Sequence, residues 1–265
     1  VRPVLFLALV KCSKKAALMK TDLHGQVALV TGAAHRVGKA IALELARHGV
    51  HILVHYGGAA AAAAETVREL QALGVEAHAV QADLRQPVAI DALFDALRTH
   101  FGRLHILVNS ASNFQRRNLL TLSLEDWNET LAINLTAPFR CTQLTAPLMR
   151  QNTPSGGVII NILDRGAISA WPEYPHHGIS KSGLWMLTQV SAVSLAPDIR
   201  ANAVLPGPVI KPERIAAADW EREGQVAPLR RTGSAEDVAR AVAYLAAEDY
   251  ITGTVLHVNG GEHLP

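Results

Sequence analysis

Cysteine is nearly absent from this 265-residue chain, which has only Cys12 and Cys141. The two lie far apart in no metal or redox spacing, which excludes a disulfide scaffold and makes a reducing, cytoplasmic setting the expectation. The twelve histidines are scattered without a His-Glu-x-x-His pattern, so no metal site is expected. Neither sign of charge dominates: 25 Lys and Arg against 23 Asp and Glu leave +2, and no run of five basic residues occurs. A nucleic-acid partner therefore has no footing. Long apolar runs are missing as well. Val4–Val10, between Arg2 and Lys11, has seven residues, against the ~20 that span a bilayer, so no membrane partner is expected. No small-residue cleavage site of a signal peptide follows it. Residues 1–20 are expected to be a poorly ordered, functionally silent extension upstream of Met19, arising from a misplaced start.

With 49% apolar and 18% charged residues, positions 21–265 suffice for one large α/β domain. Strands are read at Val27–Thr31, His51–His55, Ala77–Gln81, His105–Asn109, Val158–Leu163, Ala201–Leu205 and Val255–Val258. Most are Val/Ile/Leu runs without alternation, as in strands covered on both faces of a parallel sheet. Helical stretches lie between them, among them Lys39–His48, Ala60–Leu73, Val88–Phe101, Ser123–Arg150 and His176–Ala196. The β-α-β alternation implies right-handed crossovers and a doubly wound (Rossmann) parallel sheet of seven strands with helices on both faces. No internal repeat or linker divides it.

Thr31-Gly-Ala-Ala-His-Arg-Val-Gly38 follows the first strand and opens the first helix. Gly32 permits the tight turn and Gly38 a close approach of helix to sheet. The N–H groups of the helix N-terminus, around Val37, then face a pyrophosphate, where the helix dipole favours an anion. A carboxylate ~20 residues further on would hold the ribose hydroxyls of NAD. Here the second strand ends His55-Tyr56-Gly57-Gly58, without an acid. That permits the 2′-phosphate of NADP(H), for which His35 and Arg36 supply donors. Asp83, followed by Leu84, either meets the adenine edge or serves as a turn or cap carboxylate.

These segments, with Leu107-Val-Asn-Ser-Ala-Ser-Asn-Phe114, Asn134, Pro206-Gly207 and Tyr250-Ile-Thr-Gly-Thr…Val258-Asn-Gly-Gly261, resemble the short-chain dehydrogenase/reductases over residues 26–262. Ala-Ala-x-Arg in the loop, His55-Tyr56, Phe114 and Asp164 after Asn161-Ile-Leu resemble the pteridine reductase branch in particular. The resemblance implies a small-molecule reductase using NADP(H), with cofactor contacts extending to Asn109, Ser110 (where a second asparagine is usual), Ala111, Pro206 and Gly207. Phe114 would stack on a pterin, an offset contact worth ~1 kcal/mol, unless it is a loop aromatic packed on the core. Ser112 would bond the pterin edge, Asp164 would deliver protons, and Asn134 would join a relay by bending its helix around a water. Arg116 and Arg117 are either loop surface or substrate contacts. The broken segment Pro208–Gly233 would be a mobile lid, ending in Arg230 and Arg231. The helices Ser123–Arg150 and His176–Ala196 would pair subunits into a homotetramer.

One position departs outright. His177, four residues before Lys181, stands where the family resemblance implies a proton-donating tyrosine. Lys181 keeps the ribose role. An imidazole donates protons near neutrality but reaches ~2 Å less than a phenol, so direct transfer needs a bridging water. Tyr174 competes: it precedes Pro175 and is pushed out of helical geometry, so its phenol leans toward the pocket without occupying the usual proton-donor site, and the pterin resemblance implies a pocket wall there. Asp164 is a third route if burial keeps it protonated. Three readings follow: an NADPH-dependent reductase of a pterin-like C=N compound, a general carbonyl or alcohol reductase, and a catalytically silent nucleotide-binding protein.

Overall fold

The computed structural model describes residues 21–212 and 216–264. The expectation for residues 1–20 therefore lies outside the described residues, as does part of the segment read as a lid. Seven strands form one parallel sheet: β1 (Val27–Val30), β2 (His51–Tyr56), β3 (Ala77–Gln81), β4 (Ile106–Asn109), β5 (Gly157–Ile162), β6 (Ile199–Pro206) and β7 (Val255–Val258). Their order is β3-β2-β1-β4-β5-β6-β7. In β1, Ala28 and Val30 face one buried cluster while Val27 and Leu29 face another. Both sides of the strand are dry, which is why its sequence does not alternate. The order reverses between β1 and β4, and the crevice outside their carboxyl ends is where such sheets bind ligands.

Helices α1 (Arg36–Arg47), α2 (Ala60–Ala72) and α3 (Pro87–Phe101) match the reading to within a few residues. The predicted helix Ser123–Arg150 is instead three pieces: α4 (Leu124–Leu131), a π turn at Ala132–Thr136, and α5 (Ala137–Arg150). The π turn carries Asn134, whose side chain bonds the backbone of Asn113, and it interrupts the regular helix there. Beyond α6 (Pro175–Leu195) come two helices absent from the sequence reading, α7 (Ala217–Val226) and α8 (Ala235–Ala247). Helix α7 lies inside the segment read as a broken lid. Helix α8 starts on a capping box between Ser234 and Asp237, and it buries Val238, Val242 and Leu245 in the cluster that holds Ile41 and Leu45 of α1. No helix among the described residues is long and apolar enough to cross a membrane.

His105, at the foot of β4, shows what holds the lower edge. Its Nδ1 accepts the Val27 N–H at 3.0 Å. Burial, aided by the charge of Arg103, pushes the ring from the ordinary value of 6.5 down to about 4. The unfolded chain takes up this proton near 6.5 and the folded chain only near 4. The neutral ring's stabilisation is thus full above 6.5 and lost as pH falls toward 4, by roughly 2 kcal/mol, less than the full shift because water reaches the half-buried ring. Urea unfolding at neutral pH and at the acid end of that window measures the loss, which shrinks in His105→Gln. An unchanged gap overturns the assignment.

Candidate active site

The phosphate loop is built from β1 outward. Gly32 has φ +67°, and a Cβ there would lie 2.9 Å from Ala111 Cα. The Gly32 N–H donates to His55 Nδ1 at 3.1 Å, and the Ala33 N–H donates to the His55 carbonyl at 3.0 Å. Thr31 Oγ1 accepts the N–H groups of Ser110 and Ala111, joining the loop to the end of β4. His35 and Arg36 are exposed at the start of α1, and Arg36 has φ +57°. Helix α1 has no side-chain cap, whereas Ser123 caps α4 and Ser234 caps α8. Its first N–H groups are therefore free of side-chain competition, and they point where an anion is favoured. Beside them, a Cβ built on Gly57 or Gly58 meets nothing within 4 Å. This open end of β2 has room for a further phosphate, and the residues present fit a dinucleotide.

Three expected cofactor residues have other partners in the structure. His55 is buried: its Nδ1 accepts from Gly32, so Nε2 carries the proton that it donates to the Ala82 carbonyl at 3.0 Å. Burial lowers its pKa against the opposing effect of that bond. It braces the loop from beneath. Leu84 is also buried and packs in the core. Asp83 takes its turn role, accepting from the Arg85 N–H and guanidinium. Asn109 Nδ2 donates to Asn161 Oδ1 at 2.8 Å inside the sheet, and Asn109 Oδ1 has no partner among the described residues. Tyr56 lies half-buried at the end of β2. Pro206 ends β6 beside Val258, and the Gly207 N–H donates to the Val258 carbonyl.

The first turn of α6 and the end of β5 meet at the proton site. His177 Nε2 contacts Asp164 Oδ2, and His177 Nδ1 lies 2.9 Å from the Asn113 carbonyl. Asn134 Oδ1 accepts the Asn113 N–H, and its Nδ2 lies within reach of the Asn113 carbonyl, Ser180 Oγ and His177 Nδ1. Lys181 is buried on the same helix face and donates to the Ile162 carbonyl at 2.8 Å. Burial lowers the pKa of its ammonium, partly offset by the charge of Asp164.

Asp164 overturns one expectation. Burial alone would raise its pKa. The bond from His177, the charges of His177 and Lys181 and the Gly166 N–H together hold it below the usual value. Asp164 rests as a carboxylate, not as a protonated acid.

Tyr174 packs as a wall against Phe114. Pro175 keeps it out of the helix (φ −138°, ψ 50°), and it is only 5% exposed. Its ring lies parallel to Phe114, with centroids 4.3 Å apart. Phe114 is 48% exposed, meets His177 edge-on at 4.7 Å and tilts toward Trp171 at 5.5 Å. Tyr174 thus covers one face of Phe114. Ser112 is exposed nearby. Arg116 pairs with Glu173 and Arg117 with Asp126, while the Arg117 N–H bonds the Glu173 carbonyl. Both arginines staple this loop to the Trp171–Tyr174 turn. Asn113, Trp171 and Ser180 belong to the site but were absent from the reading. A backbone carbonyl has no residue-type signal, and only the polar Ser180 one turn before Leu184 offered any. Among the described residues no cluster of His, Cys, Asp and Glu is placed to hold a metal ion.

Comparison with known proteins places this arrangement in a family. The family model described as enoyl-(acyl carrier protein) reductase matches residues 32–263. The 3-oxoacyl-[acyl-carrier-protein] reductase FabG of Staphylococcus aureus is 34% identical over 243 residues, 89% of this chain and 98% of that protein. The 3beta-hydroxysteroid dehydrogenase 1 of Eggerthella lenta is 35% identical over 92% of this chain and 95% of its own. The crystal structure of the angucycline C-6 ketoreductase LanV with bound NADP superposes with a TM-score of 0.85. It is 31% identical and covers 92% of this chain and 98% of that one. The chain belongs to the short-chain dehydrogenase/reductase family of oxidoreductases.

Proposed function

We propose that this protein is an NADPH-dependent reductase of a flat C=N or conjugated carbonyl compound, a dihydropterin-like ring foremost. The observation that carries the reading is the Asp164–His177 pair set against the edge of half-exposed Phe114. NADP(H) as cofactor rests on the acid-free end of β2, the exposed Arg36 and the uncapped start of α1. Bound NADPH supplies the hydride. Around it, Lys181 would hold the ribose, Phe114 would present its open face to the substrate, and Asp164 with His177 would supply the proton. A C=N nitrogen is more basic than a ketone oxygen, so it tolerates a weaker donor than a phenol held beside a lysine. The second reading, a general carbonyl reductase, is favoured by the relatives named above, which act on oxoacyl and keto groups by their names.

The test is titration of NADPH fluorescence, then NADPH consumption with 7,8-dihydrobiopterin, 9,10-phenanthrenequinone and ethyl acetoacetate. Turnover of the first two and little of the third is expected. Turnover of the keto ester alone would favour the second reading, and binding without turnover a silent nucleotide-binding protein. We also propose a homotetramer, because Ile179, Met186, Val190 and Val193 form an exposed apolar stripe along α6 beside Phe139 of α5. Light scattering that returns a monomer would overturn it.

A further inference from the structure

The family resemblance puts the proton donor at position 177, facing the substrate. We infer that here the order is inverted: Asp164 hands the proton to the substrate, and His177 stands behind it as the group that resupplies Asp164. This rests on the proposed reductase activity.

The geometry leaves little choice. His177 is 1% exposed, and its two ring nitrogens face Asp164 and Asn113. A ring whose nitrogens are both engaged by protein, and which packs perpendicular to Phe114, has no N–H left for a substrate. Asp164 retains 25% of its side-chain exposure. Its Oδ1 is fixed by the Gly166 N–H at 2.8 Å and its Oδ2 contacts His177. The carboxylate is thus the one member of the pair that reaches both the ring and solvent.

The step balances as follows. In the form that donates, the ring carries both protons, because its nitrogens face two acceptors, the Asn113 carbonyl at Nδ1 and Asp164 at Nε2. The hydride forms a new C–H bond, and the substrate nitrogen or oxygen gains electron density. The Nε2 proton moves onto the Asp164 carboxylate, and the acid so formed gives that same proton to the substrate atom, which leaves Asp164 a carboxylate again. The ring is left neutral, still bonded through Nδ1–H to Asn113, with an Nε2 lone pair facing the carboxylate. Two acceptors in contact are unfavourable, and that drives uptake of a solvent proton through the part-exposed Asp164 carboxylate.

Asp164→Asn keeps the shape and the acceptor for Nε2–H but cannot take and return a proton. Two measurements decide the matter. In the protein with 15N-labelled histidine, exchange of the His177 Nε2–H with water should slow at least tenfold in Asp164→Asn, because its route to solvent runs through the carboxylate. Equal exchange rates in the two proteins would overturn the inference. The second is single-turnover reduction of 7,8-dihydrobiopterin or 9,10-phenanthrenequinone by NADPH. Asp164→Asn should lose about a hundredfold in rate, with NADPH fluorescence quenching as the control for folding. His177→Gln should lose about tenfold, since water can still feed Asp164. A larger loss in His177→Gln than in Asp164→Asn would put the ring against the substrate and sink the inversion. If the wild-type protein reduces neither probe, the reductase reading fails, and the exchange measurement still decides the proton path.

Discussion

Gly38→Ala is expected to weaken NADPH binding at least tenfold and to destabilise the fold by about 3 kcal/mol, the upper end of an overpacking change. A Cβ on Gly38 would stand 2.3 Å from the Gly32 carbonyl oxygen, 2.8 Å from its carbon and 3.0 Å from Ala33 Cα. All three are backbone atoms, so no rotamer change can make room. Nor can the loop shift freely. Gly32 is held to His55 Nδ1 and pressed on Ala111, and Thr31 ties its base to Ser110 and Ala111. The added methyl must lift the first turn of α1 off the sheet, which moves the N–H groups that would receive the pyrophosphate. Gly57→Ala is the control, because a Cβ there meets nothing within 4 Å, and it should leave stability within about 0.5 kcal/mol. Urea unfolding and NADPH titration check both variants. A Gly38→Ala protein of wild-type stability and affinity would mean that the helix and loop do not meet this closely.

The parts of this fold that were readable in advance are those decided by local chemistry. A strand buried on both faces must be continuously apolar, and the runs at β1, β2, β4 and β5 could be little else. The glycines of the loop mark a backbone approach that larger residues forbid. What escaped was set by direction and by distance. His55 and Tyr56 are neighbours on one strand, so their side chains point to opposite faces. Which of the two turned inward depended on the pleat, and His55 became a brace beneath the loop rather than a cofactor contact. Asp164 and His177 are thirteen residues apart. Their contact exists because the turn after β5 runs against the first turn of α6, where an added Cβ on Gly166 would come 3.0 Å from Gly178 Cα. That contact reversed the expected protonation of Asp164, since an isolated buried carboxyl gains a proton and one paired to an imidazole does not. The π turn at Asn134 was half legible: an irregular helix around a water was expected, and the Asn134 side chain bonds the Asn113 backbone. Helix α8 was readable and missed, for Ser234-Ala-Glu-Asp237 ahead of Val238 and Val242 is a capping sequence before an apolar face.

His177→Tyr is expected to raise the ratio of ethyl acetoacetate to dihydrobiopterin turnover at least tenfold. The imidazole already touches Asp164, so a phenol, ~2 Å longer in reach, cannot point along the same line. It must run past the carboxylate into the cleft, beside Lys181 on the same face of α6. There it would present an O–H directly to a carbonyl oxygen, the arrangement that the family resemblance implies for this position. A ketone oxygen is weakly basic and needs a donor in direct contact as charge develops, so the ketone gains most. A C=N nitrogen takes its proton more readily, and part-exposed Asp164 still delivers it, so the dihydropterin gains less. Steady-state rates with the two substrates give the ratio without any assumption about NADPH affinity, because the cofactor is common to both. A ratio that stays at the wild-type value would show that the identity of residue 177 does not set the substrate class. Selectivity would then rest on the Phe114–Tyr174 stack, and the place to intervene would be Phe114 rather than the proton donor.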